Sequence, residues 1–326
     1  MFITPHTVNT SPNPPPPIVS LSLNPAIDLT YEITALEHDR KTRAYACHYD
    51  PGGTGVNVGR ALEKLNANAH TCLITAGKMG EFLESLLSHE LKHFYALKVN
   101  GETRINTTIS QQKPKHQYEV NAAGAKISTA QLEEISNYFL TTCQQGIGIL
   151  TGSLPPETPT STYQIITRKL QAQGGRAIID APVAILGNTL SCHPFLVKPN
   201  LHELEELQNK KLTSIEQIAS EARRLTQQGP RNVCVSLGDK GAILTCQENS
   251  YYCRSPRIQM RSTVGAGDSM VAGLAYAFSQ EQTPQQALKL AVACGAGTAK
   301  YPGTQLFTSE DIHDLSEQIN IEILDI

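Results

Sequence analysis

Short apolar runs alternate with segments of helical periodicity along the chain from residue 18 onward. This alternation is typical of a mostly parallel sheet flanked by helices. Stripes such as Val58, Ala61, Leu62 and Leu65 keep helical spacing and predict helices that face the core. The pattern therefore predicts an α/β fold, with strands at residues 18–23, 71–76, 147–151, 176–180, 195–198 and 232–237 and, in the last third, helices at 267–277, 284–299 and 309–319.

Two stretches interrupt the alternation. Residues 28–50 and 95–122 are rich in Thr, Tyr, Val and Ile and carry polar residues at alternate positions. Such a pattern is typical of strands that are exposed on one face. Both stretches are therefore predicted to lie outside the main sheet and to pair as a small β lid. The apolar part of such a lid needs cover, and self-association is one way to supply it.

Composition and charge narrow the function classes. Lys and Arg total 27 against 30 Asp and Glu, which gives a net charge of −3 without any long block of like charge. We therefore expect no dedicated nucleic-acid-binding or membrane-surface protein. No run approaches the roughly 18 apolar residues that a membrane-spanning helix needs.

The N-terminal segment and the cysteines bear on the cellular compartment of the protein. Residues 1–17 end in four prolines and have neither the basic start nor the apolar stretch of a secretory signal, so they are predicted to form a disordered Pro-rich tail. The eight cysteines form no CxxC pair, and without a signal they are predicted to be reduced thiols. The sequence predicts a cytoplasmic protein whose folded region covers residues 18–326.

The segment Gly265-Ala266-Gly267-Asp268 precedes a long apolar helical run. A Gly-x-Gly turn that opens a helix exposes backbone N–H groups, which form an anion site reinforced by the helix dipole. Asp268 has two interpretations. It is either a simple helix cap or the carboxylate that accepts a hydroxyl proton during phosphoryl transfer.

A second candidate site begins at Lys198 and continues through Asn200 and Glu203. These residues follow a predicted strand, and ligands of doubly wound sheets bind at the carboxyl ends of strands. Asn200 and Glu203 share a helix face and could hold a hydrated Mg²⁺. An ordinary helix start after Pro199 is the alternative.

The glycine turn at residues 51–59 resembles a dinucleotide-binding fingerprint only superficially. Its spacing is Gly53-x-Gly55-x-x-x-Gly59, and no acidic residue lies about 20 positions further along the chain to hold a ribose. A NAD-dependent dehydrogenase is therefore not expected. The bare glycines together with Asn57 suit close backbone approach to a hydroxylated ligand instead.

Cations form a further candidate site in the predicted lid. Lys41 and Arg43 are two residues apart and, on one strand face, could clasp a phosphate together with Arg104. The alternative is that these cations serve solubility or edge protection.

The sequence His89-Glu90-Leu91-Lys92-His93 matches the zincin pattern HExxH. The helical stripe before it ends here, a strand-like run follows at once, and no third ligand is recognisable downstream. We therefore interpret this match as a chance occurrence.

Taken together, the motifs resemble the phosphofructokinase-B group of ribokinase-like sugar kinases from about residue 18 to the C-terminus. The resemblance is carried by the segments at residues 23–28, 51–62 (PGGTGVNVGRAL), 101–106, 150–156, 196–207 (LVKPNLHELEEL), 235–242 and 262–273 (STVGAGDSMVAG). It implies a ribokinase-like domain with a β lid, dimerised through the lids. It also implies phosphoryl transfer from ATP, with Mg²⁺, to a small-molecule sugar phosphate.

The resemblance also implies residue roles. Asp268 would be the catalytic base, and the N–H groups of Gly265, Ala266 and Gly267 would stabilise the transferring phosphoryl group. A monovalent cation such as K⁺ would bind near Val264 and residues 303–305. The other implied positions are Asp28, Gly52, Gly53 and Asn57 for sugar hydroxyls, Lys41, Arg43, Arg104 and Ser153 for the sugar phosphate, Lys198, Asn200, Ser236 and Gly238 for ATP, and Asn200 and Glu203 for Mg²⁺ through water.

Within this group the expected reaction is fructose 6-phosphate to fructose 1,6-bisphosphate, a step of glycolysis. Thr54 stands where 1-phosphofructokinases and tagatose-6-phosphate kinases typically carry Lys. This difference and the ending Pro302-Gly303-Thr304-Gln305-Leu306 favour the 6-phosphofructokinase branch. Against it, Glu119 stands where that branch tends to supply an Arg to the phosphate. The Ser-Gly-Glu segment usual after Asp180 is also missing, so 1-phosphofructokinase and tagatose-6-phosphate kinase both stay open as interpretations.

Two further functions fit these residues less well. An unphosphorylated-sugar or nucleoside kinase would leave Lys41, Arg43 and Arg104 without a role. A non-catalytic sugar-phosphate or nucleotide sensor belongs to a different class of protein, and the presence of Asp268 with its glycines counts against it.

Overall fold

The computed structural model describes residues 16–325, so the predicted tail at 1–17 lies outside the described residues apart from Pro16 and Pro17. The described strands are β1 (Ile18–Ser22), β2 (Ala26–Ile33), β3 (Ala46–Gly52), β4 (Ala69–Ala76), β5 (Phe94–Val99), β6 (Arg104–Gln111), β7 (His116–Asn121), β8 (Ile147–Thr151), β9 (Arg176–Asp180), β10 (Leu196–Val197), β11 (Asn232–Ser236), β12 (Ala242–Thr245), β13 (Ser250–Cys253) and β14 (Ile321–Leu324).

Helices cover both faces of the larger sheet. They are α1 (Thr54–Lys64), α2 (Gly77–Leu87), α3 (Thr129–Cys143), α4 (Thr162–Ala172), α5 (Val183–Thr189), α6 (Leu201–Gln208), α7 (Ile215–Gln227), α8 (Ala266–Ser279), α9 (Pro284–Ala299) and α10 (Ser309–Gln318). The helices predicted in the last third are confirmed as α8, α9 and α10 to within two residues at each end.

The main sheet has ten strands among the described residues, in the order β14-β13-β12-β11-β10-β9-β8-β1-β4-β5. The run from β11 to β5 is parallel, whereas β12, β13 and β14 add an antiparallel edge. The mostly parallel α/β prediction is thus confirmed. The three edge strands were not predicted because each spans only four residues, too few for a clear alternation.

Two apolar cores lie against the main sheet. The central strand β1 is buried along its whole length, and its alternate side chains divide between the cores: Val19 and Leu21 join one, and Ile18 joins the other. Because the strands of the main sheet are buried on both faces, they appear in the sequence as continuous apolar runs. Because β1, β8, β9 and β10 run parallel, their carboxyl ends meet at one edge of the sheet.

A separate four-stranded sheet, in the order β3-β2-β6-β7, forms the lid. The predicted lid stretch 95–122 was wrong at its start, because β5 pairs with β4 as an edge strand of the main sheet. An edge strand is half exposed, so its alternating pattern resembles that of a lid strand. The lid portion of that stretch begins at Arg104.

The connection between β2 and β3 is a loop, so the predicted strand placement of Lys41 and Arg43 was wrong. Residues 34–45 are not in a strand, so Lys41 and Arg43 do not share a strand face, and both are exposed. Thr, Tyr and charged residues mimic a strand pattern here, while the turn at Asp39 takes a positive φ of 55°. Within residues 16–325, no helix combines the length and apolarity needed to cross a bilayer.

Candidate functional site

A cavity of about 550 Å³ lies between the lid sheet and the carboxyl ends of the main-sheet strands. Three parts of the chain meet in it: the lid, the strand ends, and the start of α8 with the segment before α10. Of the predicted site residues, those that line it are Asp28, Gly53, Asn57, Arg104, Ser153, Lys198, Asn200, Glu203, Gly267 and Asp268, together with Val264 and residues 303–305 of the predicted cation site. The topology thus brings together residues that are far apart in the sequence.

The lid end of the cavity is organised around Asp28. The strand register places Asp50 on one side of it and Asn106 on the other, so the three side chains share a face. Asn106 Nδ2 donates to Asp28 Oδ1 at 3.0 Å. Burial raises the pKa of Asp28, although the Asn106 hydrogen bond and the Arg104 charge oppose the rise.

The glycine turn brings its backbone against these groups. Gly53 has a φ of +92°, and a Cβ there would lie 2.9 Å from Pro25 Cα. At Gly52 a Cβ would lie 2.2 Å from Asp28 Cγ, so the bare backbone makes room for the carboxylate. This is the physical reason for the two predicted glycines, although only Gly53 and not Gly52 lines the cavity.

Asp268 lies in the first turn of α8 and lines the same cavity as Asp28. Gly265 caps this helix with a φ of +78°, a left-handed conformation that favours glycine. The first turn leaves N–H groups without intrahelical partners, and their dipole favours an anion. Asn57 Nδ2 donates to Asp268 Oδ2 at 2.9 Å. Burial and the Asp180 charge raise the pKa of Asp268 to about 7, against the Asn57 hydrogen bond and Lys198.

Lys198 is buried between carboxylates. Its Nζ lies 3.3 Å from Asp180 Oδ1. Burial alone would lower the pKa of Lys198, but the Asp180 carboxylate outweighs it and the pKa is raised. One ammonium therefore faces the negative charges of both Asp180 and Asp268, which is a fixed cation in a cavity of acidic groups.

Asn200 and Glu203 form an ordinary helix cap, as one of the two interpretations of the sequence predicted. Asn200 Oδ1 accepts from Glu203 N at 2.9 Å, and Glu203 Oε2 accepts from Asn200 N at 2.8 Å. Both side chains nevertheless line the cavity. Within the part of the chain that the structure describes, no group of three or more His, Cys, Asp or Glu could hold a metal.

Not all predicted positions line the cavity. The positions absent from its lining are Lys41, Arg43, Gly52, Ser236, Gly238, Gly265 and Ala266. Arg104 lines it, but its Nη2 donates to Asn24 O at 2.8 Å and its Nη1 to Ala122 O at 3.1 Å. Asn24 Nδ2 also donates to Ser153 Oγ at 3.2 Å, so Asn24 joins the two predicted phosphate residues.

The segment before α10 closes the cavity on the α8 side. Ser262 Oγ donates to Gly303 O at 2.9 Å and accepts from Val264 N at 3.2 Å, which ties the two predicted cation segments together. Thr304 Oγ1 is buried and has no hydrogen-bond partner within residues 16–325. A buried hydroxyl oxygen without a hydrogen-bond partner is a donor that fits a monovalent cation.

The HExxH match lies outside the cavity. Helix α2 ends at Leu87, before the first histidine, so the two histidines do not share a helix face. Glu90 instead forms an ion pair with Arg60, with Nε and Oε2 separated by 2.6 Å. His93 stacks on His70 with ring centroids 5.0 Å apart.

Sequence reasoning missed several polar groups of the site, notably Asp180, Asp50, Asn106 and Arg60. The first had a usable signal, because Asp180 ends a predicted parallel strand and strand ends meet at one edge. Asp50 and Asn106 could have been found by aligning the lid strands. Arg60 had no signal, since it lies on a helix stripe that is otherwise typical of core.

The chain is similar to known carbohydrate kinases over most of its length. Residues 18–311 match the pfkB family carbohydrate kinase profile. The 1-phosphofructokinase of Bacillus subtilis (strain 168) is 30% identical over 305 residues, which cover 93% of this chain and 99% of that protein. The ATP-dependent 6-phosphofructokinase isozyme 2 of Escherichia coli (strain K12) is 30% identical over 296 residues, covering 90% and 96%. The tagatose-6-phosphate kinase of Staphylococcus epidermidis is 28% identical over 308 residues, covering 93% and 99%.

Solved structures show the same fold. The phosphofructokinase-2 from Escherichia coli in complex with substrates and products superposes with a TM-score of 0.89 at 29% identity, covering 92% of this chain and 98% of that one. The same protein in complex with potassium gives 0.87, with the same identity and coverage. The likeness in fold therefore extends over more than nine tenths of the chain.

Proposed function

The chain belongs to the pfkB family of carbohydrate kinases, and from that premise we propose that it transfers a phosphoryl group from ATP to fructose 6-phosphate, producing fructose 1,6-bisphosphate. Its relatives include kinases of three different hexose phosphates, and they support its assignment as an ATP-dependent sugar-phosphate kinase. The observation that carries the proposal is that Asp28 and Asp268 line one cavity, each held by an amide side chain.

The proposed chemistry assigns the two carboxylates different tasks. Asp28 accepts hydrogen bonds from hydroxyls of the acceptor sugar and sets its orientation. Asp268 accepts the proton of the attacking hydroxyl, for which a pKa near 7 is well matched. The N–H groups at the start of α8, from Gly265, Ala266 and Gly267, stabilise charge on the transferring phosphoryl group.

The proposed ATP side begins at Lys198, which supplies a fixed positive charge near the phosphates. Asn200 and Glu203 are oxygen donors that fit a Mg²⁺ held mainly by water and substrate phosphates, since the described residues offer no all-protein cage. When bound, Mg²⁺ would neutralise charge that develops on the phosphates. Ser236 and Gly238, outside the cavity lining, would contact the nucleotide beyond the phosphates.

The proposed sugar-phosphate side contains Arg104 and Ser153. Lys41 and Arg43 lie on an exposed loop and can reach the phosphate only after the loop moves. Thr54 lines the cavity with a neutral side chain, which supports fructose 6-phosphate. Glu119 also lines the cavity, and its Oε1 accepts a hydrogen bond from Gln117 Nε2 at 2.6 Å. With Glu119 in place of an Arg, this side has one cation fewer than the 6-phosphofructokinase branch tends to supply.

The experiment that tests the proposal is ADP release from Mg-ATP with fructose 6-phosphate, fructose 1-phosphate, tagatose 6-phosphate, fructose and ribose. We expect the highest kcat/KM with fructose 6-phosphate, with more activity in KCl than in choline chloride because a monovalent cation fits near Thr304. Preference for another hexose phosphate would show that Glu119 outweighs Thr54. Binding without any turnover would point to a sensor.

Removing space at Gly52 tests the role of Asp28. In Gly52→Ala, the new Cβ would displace the Asp28 carboxylate and break its Asn106 bond. We expect KM for the sugar phosphate to rise about 10–100-fold, with KM for ATP nearly unchanged. Steady-state kinetics measure both. In the control Gly187→Ala, a Cβ would meet only Leu207 Cδ2, at 3.8 Å, so normal kinetics are expected. An unchanged sugar KM in Gly52→Ala would contradict the assignment.

The outer lid surface supports a proposed homodimer. Tyr49 on β3 and Tyr118 and Val120 on β7 are large apolar side chains exposed by 44–64%. A second lid would cover them and the β7 edge. Analytical ultracentrifugation should give a dimer, and a monomer at micromolar concentration would contradict this arrangement.

A further inference from the structure

Arg60 on α1 is a buried cation that the proposed chemistry does not use, with a side chain only 6% exposed. Its Nε and Nη2 donate to the two carboxylate oxygens of Glu90, at 2.6 and 3.3 Å. Its Nη1 lies within 3.2 Å of three acceptors, which are Pro51 O, Thr304 O and Asn57 Oδ1. A guanidinium rather than an ammonium is required, because only a planar fork reaches all these partners at once.

The contact with Asn57 matters most, because Asn57 also holds Asp268. A side-chain amide has a donor end and an acceptor end, and its neighbours decide which way it faces. Arg60 can only donate, so Asn57 must present Oδ1 to it as the acceptor. The other end of the amide, Nδ2, is then directed toward Asp268 Oδ2 at 2.9 Å. The opposite orientation would place an amide oxygen against the Asp268 carboxylate, where two acceptors repel.

We propose that Glu90, Arg60 and Asn57 form a positioning chain that fixes the orientation of Asp268 for proton acceptance. The inference rests on the proposed function, since it concerns the proposed base. Glu90 holds Arg60, Arg60 orients the Asn57 amide, and the amide holds Oδ2 of Asp268, a residue that lines the cavity. The carboxylate of the HExxH match thus acts on the site through two other side chains.

The same guanidinium joins the site's separate segments. Pro51 lies at the end of lid strand β3, and Thr304 lies in the segment that closes the cavity on the α8 side. Charge-assisted hydrogen bonds to their carbonyls hold both segments against α1. Arg60 therefore couples the position of the lid strand to that of the base.

The chain contains a matched control for a purely structural role. Glu63 on α1 pairs with Lys92, with Lys92 Nζ 3.5 Å and Lys92 N 3.2 Å from its oxygens. This pair joins α1 to the same short segment as the pair of Arg60 and Glu90. Its side-chain ion pair can be removed at Lys92 while the Lys92 N–H bond stays, which weakens the link between the same two elements without changing the Asn57 amide.

The kinetic test compares Arg60→Lys, Glu90→Gln and Lys92→Met. We expect Arg60→Lys to lower kcat about 10–100-fold, as misplaced catalytic groups do, with KM for ATP within about twofold. Glu90→Gln should lower kcat about 3–10-fold, since it replaces a charged acceptor by a neutral one. Lys92→Met should keep the wild-type kcat. Glu90 is partly exposed, so Glu90→Gln decides the question if Arg60→Lys does not fold. Unchanged kcat in Glu90→Gln, or an equal loss in Lys92→Met, would overturn the proposal.

A second measurement does not depend on turnover. In protein labelled with ¹⁵N-asparagine, the Asn57 side-chain NH₂ signals, assigned with Asn57→Ser, should exchange slowly with solvent. They should shift and exchange faster in Glu90→Gln and not in Lys92→Met. If the wild type phosphorylates no sugar, the proposed function fails while this result still judges the positioning chain. Identical Asn57 signals in wild type and Glu90→Gln would overturn the chain, whatever the activity.

Discussion

The variant Asp268→Asn is expected to lower kcat about 10²–10⁴-fold while it still folds and binds ATP. Asparagine keeps the shape and the contact with Asn57 but cannot accept the proton of the sugar hydroxyl. The helix start and Lys198 remain, so the phosphates keep their binding groups. The measurement is ADP release at saturating substrates, together with ATP binding by calorimetry.

The control for this substitution is Asp39→Asn, which removes an exposed carboxylate in the loop between β2 and β3. It should leave kcat unchanged. Near-normal turnover in Asp268→Asn would remove Asp268 from the role of base, and loss of ATP binding would show that the residue serves the nucleotide instead.

The raised pKa of Asp268 gives this prediction a pH signature. The base must be ionised, and its pKa is about 7 in the ligand-free protein, so kcat/KM should fall as the pH drops below about 7.

The same pKa shift makes folding stability change with pH in the opposite direction to kcat/KM. The carboxyl group has a pKa near 3.8 when unfolded, so between pH 3.8 and 7 the unfolded chain ionises first and folding loses stability as the pH rises. Asp268→Asn should therefore raise the melting temperature more at pH 8 than at pH 5.

Local patterns predicted the parts of the site that depend on short segments. The strands that end at Asp180 and just before Lys198 were predicted because buried parallel strands are apolar runs in the sequence. The segment from Gly265 to Asp268 was predicted because a helix start has its own signature. Each of these signals lies within about ten residues, so the local backbone geometry is enough to determine the strand or the helix start.

Contacts between distant segments could not be predicted in this way. Asn57 and Asp268 are 211 positions apart, and Arg60 and Thr304 are 244 apart. A polar residue on an amphipathic helix gives no sign of its partner until the topology is known. The same limit explains Lys41 and Arg43, since alternation cannot distinguish an exposed strand from an exposed loop, and β5, whose half-exposed edge position resembles that of a lid strand.

The variant Lys198→Met is expected to affect both stability and activity. It leaves Asp180 and Asp268 buried without their cation, and breaking a buried ion pair costs about 3–5 kcal/mol of unfolding free energy. Burial raises the pKa of both carboxyl groups, so they bind protons as the pH falls. The loss should therefore be largest at pH 8 and smaller at pH 5, as measured by urea denaturation. In the control Lys211→Met, an exposed lysine paired with Glu205 is removed, and stability should change little at either pH.

The double variant Asp180→Asn/Lys198→Met separates the two effects. Removing both partners also removes the buried Asp180 charge that Lys198 balances, so much of the lost unfolding free energy should return. Activity should not return, because the phosphates of ATP still lack the cation that faces them. Recovery of stability without recovery of kcat would show that Lys198 is retained for phosphoryl transfer rather than for folding. Recovery of both would contradict its proposed role at the phosphates, and recovery of neither would show that Lys198 stabilises the fold mainly through Asp268.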